Sequence, residues 1–469
     1  MSERGLAAVG AYAPDLRISA DEFADAWGSF EASGITEKAV PDADEDALTM
    51  GAEAATRALS AADLAPDAVD FLAFASTTPP QEEEDLTARL ASVLGVPGTA
   101  TTHLFSGSTR AGTRALWTGL DADYEGAGLV VAADCPHGEP DDAREHAAGA
   151  GAAAFVLRAD APGRVVDRGE YTTPYPGQRF RQPGSRSVEG LDVTSYDRQA
   201  FSEALSGAVA DVEVGEVDAA AVQAPDGKRP YRGAGALGVE SEAIQACATV
   251  HGLGDTAAAS VPLSLARALD DGAGRVLAAA FGSGAGADAL VVENEGVPAD
   301  LAIDGGRELS YAEYLRRRGE ITTGEPEGGG AYVSVPTWRR SLPQRHRLVA
   351  GACPDCGELT FPPEGACGGC GELVEFESVA LPGEGEVTAI TTIGRGGAPP
   401  EFGPQQAKSG DFQVAIVEFE GPDGEGSVSA PAQAVSTAEL EAGDRVQAVV
   451  RRIYTQEGVT RYGFKVQPA

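Results

Sequence analysis

The chain has 469 residues, 43% of them hydrophobic, with a formal net charge of −37 and a pI near 4.4. This length predicts two or three domains, and the hydrophobic fraction excludes a disordered acidic protein. A carboxylate-rich surface on an otherwise ordinary apolar pattern is typical of adaptation to molar salt, where screening weakens self-repulsion. The charge therefore predicts a halophilic habitat rather than a kind of partner.

The sequence shows neither the pattern of a membrane span nor that of an export signal. No run of about eighteen apolar residues, the length that a membrane span needs, occurs in the sequence. The segment 1–5 lacks the basic region and apolar stretch of a signal peptide. We therefore expect a cytoplasmic protein without a membrane partner.

Residues 1 to about 295 alternate between helix and strand patterns. Amphipathic, Ala-rich stretches at 46–60 and 85–95 predict helices. Short apolar runs predict buried parallel strands at 69–75, 128–133, 152–157, 219–222 and 275–281. This alternation predicts a layered α/β architecture in which helices cover both faces of the sheets.

The pattern changes after residue 296. Residues 311–318 predict a helix, and the Gly- and Glu-rich segment 322–330 predicts a flexible linker. From about residue 376 the runs alternate with period two, which predicts strands at 384–394, 411–420, 426–433, 444–454 and 460–467. Five such strands predict a small OB-type barrel. The Gly- and Pro-rich stretch 394–410 predicts a long loop.

Four of the six cysteines form two Cys-x2-Cys pairs ten residues apart, at Cys353, Cys356, Cys367 and Cys370. Two facing turns of this kind complete a tetrahedral S4 site for zinc. Two disulfides or four unrelated thiols are the alternatives, and both suit a reducing compartment less well. Because four protein ligands leave no position for water, we expect a structural zinc ion.

A zinc ribbon followed by a barrel raises the possibility of nucleic-acid binding. That function needs a basic groove with interleaved aromatic residues. Residues 376–469 hold seven basic and thirteen acidic residues, and no basic stripe is visible. We therefore expect no nucleic-acid partner.

The order of motifs in the last third of the chain resembles another family. The motifs are 347–353, Phe361-Pro-Pro, the second cysteine pair, 385–390 and 413–418. Together they resemble the zinc-ribbon/OB-fold acyl-CoA-associated family over about 335–469. The resemblance implies a scaffold that docks on a thiolase-family enzyme and helps to hold coenzyme A.

A second resemblance covers about 1–320. The segments that carry it are 10–14, 34–41, 44–50, 111–113, 149–154, 171–173, 225–228, 282–286 and 311–319. Their order resembles archaeal 3-hydroxy-3-methylglutaryl-CoA synthase, of the thiolase superfamily. The resemblance implies a five-layered α/β/α/β/α domain, which is usually dimeric.

The reaction of this family needs a Cys nucleophile, a Glu acid/base and a His that polarises the second acyl-CoA. In this chain the Cys position falls on Thr109, the Glu position on Thr77 and the His position on Gln223. The Asn of a family Gly-Asn-Thr motif falls on Asp255. A Thr hydroxyl is a poor nucleophile unless a base activates it. The resemblance therefore implies a frame without its chemistry.

Two cysteines lie outside the zinc motif. Cys135, in Asp-Cys-Pro-His, is the candidate for a replacement nucleophile, whereas Cys247 lies in an apolar run typical of the core. The Gly-rich turn at Gly282, Ser283 and Gly284 and the Pro-Asp-Gly-Lys turn ending at Lys228 are candidates for binding a coenzyme A thioester.

These observations predict four segments: a thiolase-like domain at 1–300, a helical segment and linker at 301–345, a rubredoxin-like zinc ribbon at 346–375 and an OB-fold barrel at 376–469. The main hypothesis is a catalytically degenerate accessory subunit of a thiolase-family complex, a homodimer or hetero-oligomer through its thiolase-like domain. The alternative is an active acyl-CoA acyltransferase or condensing enzyme with a changed nucleophile. Whether the chain is an enzyme stays open, and the substitutions favour the absence of enzymatic activity in the chain on its own.

Overall fold

A computed structural model of the chain describes residues 4–322, 335–394, 397–456 and 458–469. Most of the predicted linker at 322–330 lies outside these ranges. The chain divides into two compact units. The N-terminal unit comprises 1–41, 46–91 and 96–314, and the C-terminal unit comprises 315–469 with the short segments 42–45 and 92–95. None of the described helices is both long enough and apolar enough to cross a membrane.

The N-terminal unit contains thirteen strands among the described residues. They are β1 (Arg4–Tyr12), β2 (Leu16–Ser19), β3 (Glu37–Ala39), β4 (Val69–Ala75), β5 (Thr101–Phe105), β6 (Ala127–Asp134), β7 (Gly151–Ala159), β8 (Gly163–Tyr171), β9 (Ala219–Val222), β10 (Arg275–Phe281), β11 (Ala287–Asn294), β12 (Ala299–Ala302) and β13 (Arg307–Glu308).

Helices alternate with these strands along the chain. They are α1 (Ala20–Trp27), α2 (Ala47–Ala61), α3 (Leu86–Leu94), α4 (Ala111–Asp121), α5 (Ala143–Ala147), α6 (Thr194–Val209), α7 (Arg229–Arg232), α8 (Ala234–Leu237), α9 (Ser241–Gln245), α10 (Val250–Leu253), α11 (Ser260–Asp270) and α12 (Tyr311–Arg318), which crosses into the C-terminal unit. Helix α2 begins at a capping box, in which Asp46 accepts from the backbone of Thr49 and the Thr49 hydroxyl accepts from the Asp46 backbone.

The large sheet has the strand order β5-β4-β6-β7-β1-β8-β11-β10-β9, with β12 beside β1. Among the described residues, the pair Leu6 and Gly163 joins its two halves, between β1 and β8. Helices α4 and α11 contact each other and lie against strands of the two halves, while α2 covers the first half and α6 the second. The sheets and helices thus form the alternating layers that the sequence predicts.

Strand β10 illustrates why the sheet is buried on both faces. Val276, Ala278 and Ala280 lie in the core that includes α11. Leu277, Ala279 and Phe281 point the other way, into the core under α6. Because successive side chains of a strand alternate between faces, a continuous apolar run is required where both faces are covered.

All five predicted strands of this unit are present, but their predicted direction is wrong in part. Strand β4 is parallel to β5 and β6, and β9 is parallel to β10. In contrast, β7 is antiparallel to both β6 and β1, and β10 is antiparallel to β11. Burial on both faces gives the same apolar run in either direction, so the run does not reveal the direction of pairing.

The C-terminal unit holds a small sheet and a barrel. Its strands are β14 (Val349–Ala352), β15 (Leu359–Thr360), β16 (Glu377–Ala380), β17 (Glu384–Ile393), β18 (Phe412–Glu420), β19 (Ser427–Gln433), β20 (Arg445–Gln456) and β21 (Val459–Pro468). Its helices are α13 (Val335–Arg340), α14 (Leu342–Arg347) and α15 (Gly403–Ser409). The barrel order is β19-β18-β17-β20-β21, and a pairing of Ala434 with Val466 brings it close to closure.

The five predicted barrel strands are confirmed to within two residues at each end. The prediction of one long loop at 394–410 is wrong, because 403–409 form helix α15 and 400–402 a 3-10 helix. Pro400, Gly403 and Pro404, three of the residues that suggested a loop, lie in the first turns of these helices, where Pro is tolerated because the first helical N–H needs no partner.

Candidate functional site

The four positions to which the resemblance assigns catalytic residues, Thr77, Thr109, Gln223 and Asp255, lie at ends of sheet strands or helices in the N-terminal unit. Thr77 follows β4, Gln223 follows β9, Thr109 lies two residues before α4, and Asp255 precedes the 3-10 helix 257–259 that leads into α11. Hydrogen bonds connect Thr77, Gln223 and Asp255 through the residues of that 3-10 helix. The structure therefore brings these three residues into one region.

Asp134, at the end of β6, organises the Thr77 side of this region. Its carboxylate is completely buried and accepts hydrogen bonds from the backbone and hydroxyl of Thr77 and of Thr78, at 2.6–3.1 Å. Further donors are the Ser76 hydroxyl and the Ala258 backbone N–H, at 3.1 and 2.8 Å. Burial raises the pKa of the Asp134 carboxyl, while the hydrogen bonds from Thr78, Ala258 and Thr77 oppose that rise. Sequence reasoning missed this residue, although an Asp at the end of a buried strand is a visible signal.

Thr109 is buried, and its hydroxyl donates to the carbonyl oxygen of Phe281 at 2.6 Å. Its backbone N–H lies 3.4 Å from the hydroxyl of Ser283. A carbonyl oxygen holds the hydroxyl proton in place but does not take it up, so this contact does not activate Thr109 as a nucleophile. The position carried over from the family thus anchors the end of β10.

Gln223 and Asp255 meet at the 3-10 helix 257–259. Gln223 Nε2 donates to the Ala257 carbonyl at 2.9 Å, and the Ala257 N–H donates to Asp255 at 2.9 Å. Arg179 forms an ion pair with Asp255 at 2.5 Å. Gln223 Oε1 is buried and has no hydrogen-bond partner among the described residues.

Arg179 belongs to a segment, residues 172–193, that contains no regular helix or strand. Arg181 of the same segment donates to the backbone carbonyl of Thr77 at 2.8 Å. Thr77 and Asp255 are therefore tied to this segment through arginine side chains. Sequence reasoning missed both arginines.

The two cysteines outside the zinc motif differ in their surroundings. Cys135 is half-buried, its backbone N–H donates to the Thr78 hydroxyl at 2.9 Å, and its Sγ lies 3.8 Å from the same oxygen. Cys247 is buried, and burial raises the pKa of its thiol to about 12. Because the thiolate is the reactive form, Cys247 is a core residue and not a nucleophile.

The Gly-rich turn after β10 is compact and held by its own backbone. Gly282 N–H donates to the Gly286 carbonyl at 2.8 Å, and the Gly284 carbonyl accepts from Tyr175 N–H at 3.0 Å. Gly284 has φ 83° and Gly286 has φ 145°, values that favour glycine. Ser283 contacts Thr109 as described, so this turn lies beside the Cys position of the family.

The Pro-Asp-Gly-Lys turn that ends at Lys228 is the second candidate for binding coenzyme A. The backbone N–H of Lys228 donates to the Asp226 carboxylate at 2.7 Å, and the residue is exposed. Gly227 lies so close to Gly34 that a Cβ atom on Gly227 would come within 2.4 Å of the Gly34 carbonyl carbon. These features fix the turn and leave the Lys228 side chain on the surface.

The four cysteines of the C-terminal unit converge. Their sulfur atoms all lie within 4.8 Å of one another, with Cys353 and Cys370 at 3.8 Å and Cys356 and Cys367 at 3.5 Å. Zinc–sulfur bonds of about 2.3 Å in a tetrahedron place sulfur atoms about 3.8 Å apart, so the arrangement fits zinc.

Both cysteine turns have the same backbone form. The N–H of Gly357 donates to the Cys353 carbonyl at 2.8 Å, and that of Gly371 to the Cys367 carbonyl at 2.9 Å. The two glycines have φ of 79° and 78°. The position after each second cysteine thus adopts the left-handed conformation that favours glycine.

Comparisons with known proteins agree with this architecture. A family model described as the ChsH2 rubredoxin-like zinc ribbon domain matches residues 340–376. The hydroxymethylglutaryl-CoA synthase of Methanopyrus kandleri is 31% identical over 349 residues, which cover 69% of this chain and 96% of that protein. The synthase of Aeropyrum pernix is 32% identical over 342 residues, covering 69% and 93%.

Solved structures show the same fold at lower identity. MvaS in complex with 3-hydroxy-3-methylglutaryl coenzyme A matches with a TM-score of 0.59 at 19% identity, covering 71% of this chain and 95% of that one. FabH, the 3-oxoacyl-(acyl carrier protein) synthase III of Pseudomonas aeruginosa, matches with 0.56 at 20%, covering 63% and 99%. The predicted thiolase-like fold and zinc ribbon are confirmed. The chain belongs to the hydroxymethylglutaryl-CoA synthase family of thiolase-like condensing enzymes and carries a C-terminal zinc ribbon in addition.

Proposed function

We propose that this protein is a non-catalytic, acyl-CoA-associated subunit of a complex with a thiolase-family condensing enzyme, in the cytoplasm of a halophile. The observation that carries the proposal is the Thr109 hydroxyl, which replaces the family's Cys and donates to the Phe281 carbonyl. A thiolate at this position would form an acyl thioester, whereas a Thr hydroxyl held by a carbonyl lacks the base that it needs.

The other three positions support the same proposal. The Thr77 hydroxyl donates to Asp134, Gln223 Nε2 donates to the Ala257 carbonyl, and Asp255 pairs with Arg179. Thr77 and Gln223 offer neither the acid/base nor the imidazole function of the family reaction, and the Asp255 carboxylate is held in its ion pair with Arg179. Each polar group instead stabilises a neighbouring turn or loop.

The frame keeps features that suit a bound thioester. Gln223 Oε1 and the hydroxyl of Ser108, the residue before Thr109, are buried without hydrogen-bond partners among the described residues. Buried polar atoms of this kind normally have a partner, so a ligand N–H or O–H is a natural one. We include Lys228 and the turn Gly282–Ser283–Gly284 in the proposed coenzyme A site.

A partner subunit has an available edge on the N-terminal unit. Strand β5 ends the large sheet, and residues 101–104 on it are exposed. An edge strand offers unpaired backbone N–H and C=O groups to a strand of another chain. We propose that the thiolase-like unit forms its homodimer or hetero-oligomer through this edge.

The C-terminal unit extends the proposal. We propose that Cys353, Cys356, Cys367 and Cys370 hold one structural zinc ion, and that the nearly closed barrel is an OB fold. Zinc held by four thiolates has no position for a substrate, and it would serve to fix the ribbon. A rigid ribbon and barrel are suited to docking and not to chemistry.

An active acyltransferase with a changed nucleophile is the second candidate. Cys135 favours it, because the thiol is half-buried beside Thr78 and only one residue from the buried Asp134. In this function Cys135 or Thr109 would carry the acyl group as a thioester or ester.

The experiment that separates the two candidates uses the purified full-length protein in molar KCl. It is incubated with acetyl-CoA and acetoacetyl-CoA, and intact mass and release of free coenzyme A are measured. We expect no acyl adduct and no condensation product from the protein alone. A thiolase-family enzyme that copurifies from the native host should lose activity when this chain is removed.

Variants identify the nucleophile if an adduct forms. An adduct abolished by Cys135→Ala or by Thr109→Val, and retained in Thr109→Ser, would establish the acyltransferase and exclude the accessory function as the only one. Absence of any adduct, with loss of partner activity on depletion, would establish the accessory subunit.

A further inference from the structure

A cavity of about 620 Å³ lies within the C-terminal unit. Helices α13 and α14, the residues after β15, barrel strands and the segment 397–402 form its walls. Its apolar lining includes the rings of Phe361, Phe402, Phe412 and Phe464. Cavities of roughly 300–1,000 Å³ with mainly apolar walls are typical of small-molecule sites.

The aromatic rings of the cavity are packed in pairs. Phe402 and Phe412 stack with ring centroids 5.9 Å apart at an interplanar angle of 23°. Phe361 and Phe464 form an edge-to-face pair at 6.1 Å. Each of the four rings thus has an aromatic neighbour in the cavity wall.

One polar atom in the wall lacks a partner. Gln433 Oε1, at the end of β19, is buried and makes no hydrogen bond to the described residues. A buried acceptor without a donor is costly by about 1–3 kcal/mol, which a ligand N–H would recover.

The charged residues of the described lining are Arg345 and Glu364. Arg345 Nε donates to the Ser341 hydroxyl at 2.8 Å, and this hydrogen bond holds the guanidinium group in place. One cation and one anion in the lining make a poor site for several phosphates. The cavity therefore suits an apolar, amide-bearing group and leaves a nucleotide outside.

We propose that this cavity binds the acyl chain of a pantetheine thioester, with an amide N–H of the pantetheine arm donating to Gln433 Oε1. The acyl chain lies against the four phenylalanine rings. The proposal rests on the acyl-CoA-associated function proposed above and adds a separate acyl-binding site in the C-terminal unit to the site proposed in the synthase-like unit.

The test measures binding to the full-length, zinc-loaded protein by isothermal titration calorimetry in molar KCl. The probes are S-butanoyl-, S-hexanoyl- and S-octanoyl-pantetheine, with pantetheine and hexanoate as comparisons. Affinity should rise by about fourfold per methylene, which corresponds to about 0.8 kcal/mol for each buried CH₂. Hexanoate lacks the amide and should bind more weakly than hexanoyl-pantetheine.

Two variants locate the site. Ala398→Trp places an indole in the cavity from a half-buried position outside any helix or strand and should abolish binding, whereas Ala442→Trp, on an exposed turn, should not. Gln433→Leu should weaken hexanoyl-pantetheine at least fivefold and leave hexanoate unchanged, whereas Gln467→Leu on β21 should change neither. Circular dichroism establishes whether each variant is folded. If Ala398→Trp does not fold, Gln433→Leu still tests the site.

The proposal is overturned by affinity that does not depend on chain length, or by equal binding to the Ala398→Trp and Ala442→Trp proteins. It is also overturned if hexanoate binds as tightly as hexanoyl-pantetheine. Since this assay needs no partner enzyme, its failure is distinct from failure of the accessory function, which is read from the partner's activity.

Discussion

Arg179 and Asp255 form an ion pair at 2.5 Å, with side chains that are 14% and 6% exposed. The Asp255 carboxylate places a negative charge among buried groups. Burying a carboxylate is costly unless a cation pairs with it. The charge at 255 and the arginine at 179 therefore act as one structural element, which fastens the segment 172–193 to the turn before the 3-10 helix 257–259.

We expect Asp255→Asn to lower the free energy of unfolding by about 1–3 kcal/mol, because it leaves the Arg179 guanidinium without its counter-charge. The Asn oxygen can still accept from the Ala257 N–H, so the 3-10 helix is retained. Urea denaturation in constant molar KCl measures the change. Asp192→Asn is the matched control, since its pair with Arg144 is exposed and should contribute less than about 1 kcal/mol. Equal effects of the two variants would contradict the structural role of Asp255.

The zinc site predicts a selective response to metal removal. The protein as purified should contain one zinc per chain, and a chelator should unfold the ribbon around β14 and β15 while leaving the N-terminal unit folded. Structural zinc contributes about 10–16 kcal/mol of binding free energy, which a ribbon of this size does not replace by packing. Elemental analysis and hydrogen exchange measure the two effects.

A cysteine variant tests the same site without a chelator. Cys356→Ser should lower the zinc content and the protection of the ribbon amides, whereas Cys247→Ser should leave the zinc content at one per chain. Zinc content unchanged in Cys356→Ser would contradict the four-thiolate site.

The cysteine spacing predicted the convergence of four sulfur atoms, because short turns limit where each thiol can point. Contacts between distant segments were not accessible in the same way. Thr109 was placed by resemblance, yet its hydrogen bond to the Phe281 carbonyl joins residues 172 apart. Arg179 lies in a segment without periodicity, so no local pattern marked it. Asp134 had a visible position at a strand end, but its six hydrogen bonds depend on how three separate segments meet.

Helix α4 was not predicted from the sequence. The close packing of this helix explains why residue 112 is a glycine. A Cβ on Gly112 would lie 2.3 Å from the Ala258 carbonyl oxygen and 2.8 Å from the Pro262 ring. Gly112→Ala should therefore destabilise the N-terminal unit by about 1–3 kcal/mol, since neither neighbour is flexible. Gly235→Ala in helix α8 has open space around the added methyl group and should be neutral or stabilising by up to about 1 kcal/mol. Thermal unfolding of both variants measures the contrast, and a harmless Gly112→Ala would contradict the close approach of α4 to residue 258.

His146 predicts how stability changes with pH. The imidazole is completely buried, stacks on Phe30 with ring centroids 5.3 Å apart, and accepts from the Glu31 N–H at 3.0 Å. Burial lowers the pKa of His146, an effect that Glu145, Asp141 and Glu31 oppose and Lys38 reinforces.

The folded pKa of His146 thus lies below the unfolded value of about 6.5. The unfolded chain binds the proton first as pH falls, so this residue's contribution to stability is present above pH 6.5 and is lost as pH falls through the folded pKa. Each unit of separation between the two pKa values amounts to about 1.4 kcal/mol. His146→Gln removes the titration and keeps an acceptor for Glu31, so the loss of stability between pH 7.5 and 5.5 should be smaller in the variant. Urea midpoints across this range measure the difference, and parallel pH profiles in the two proteins would contradict a buried, neutral His146.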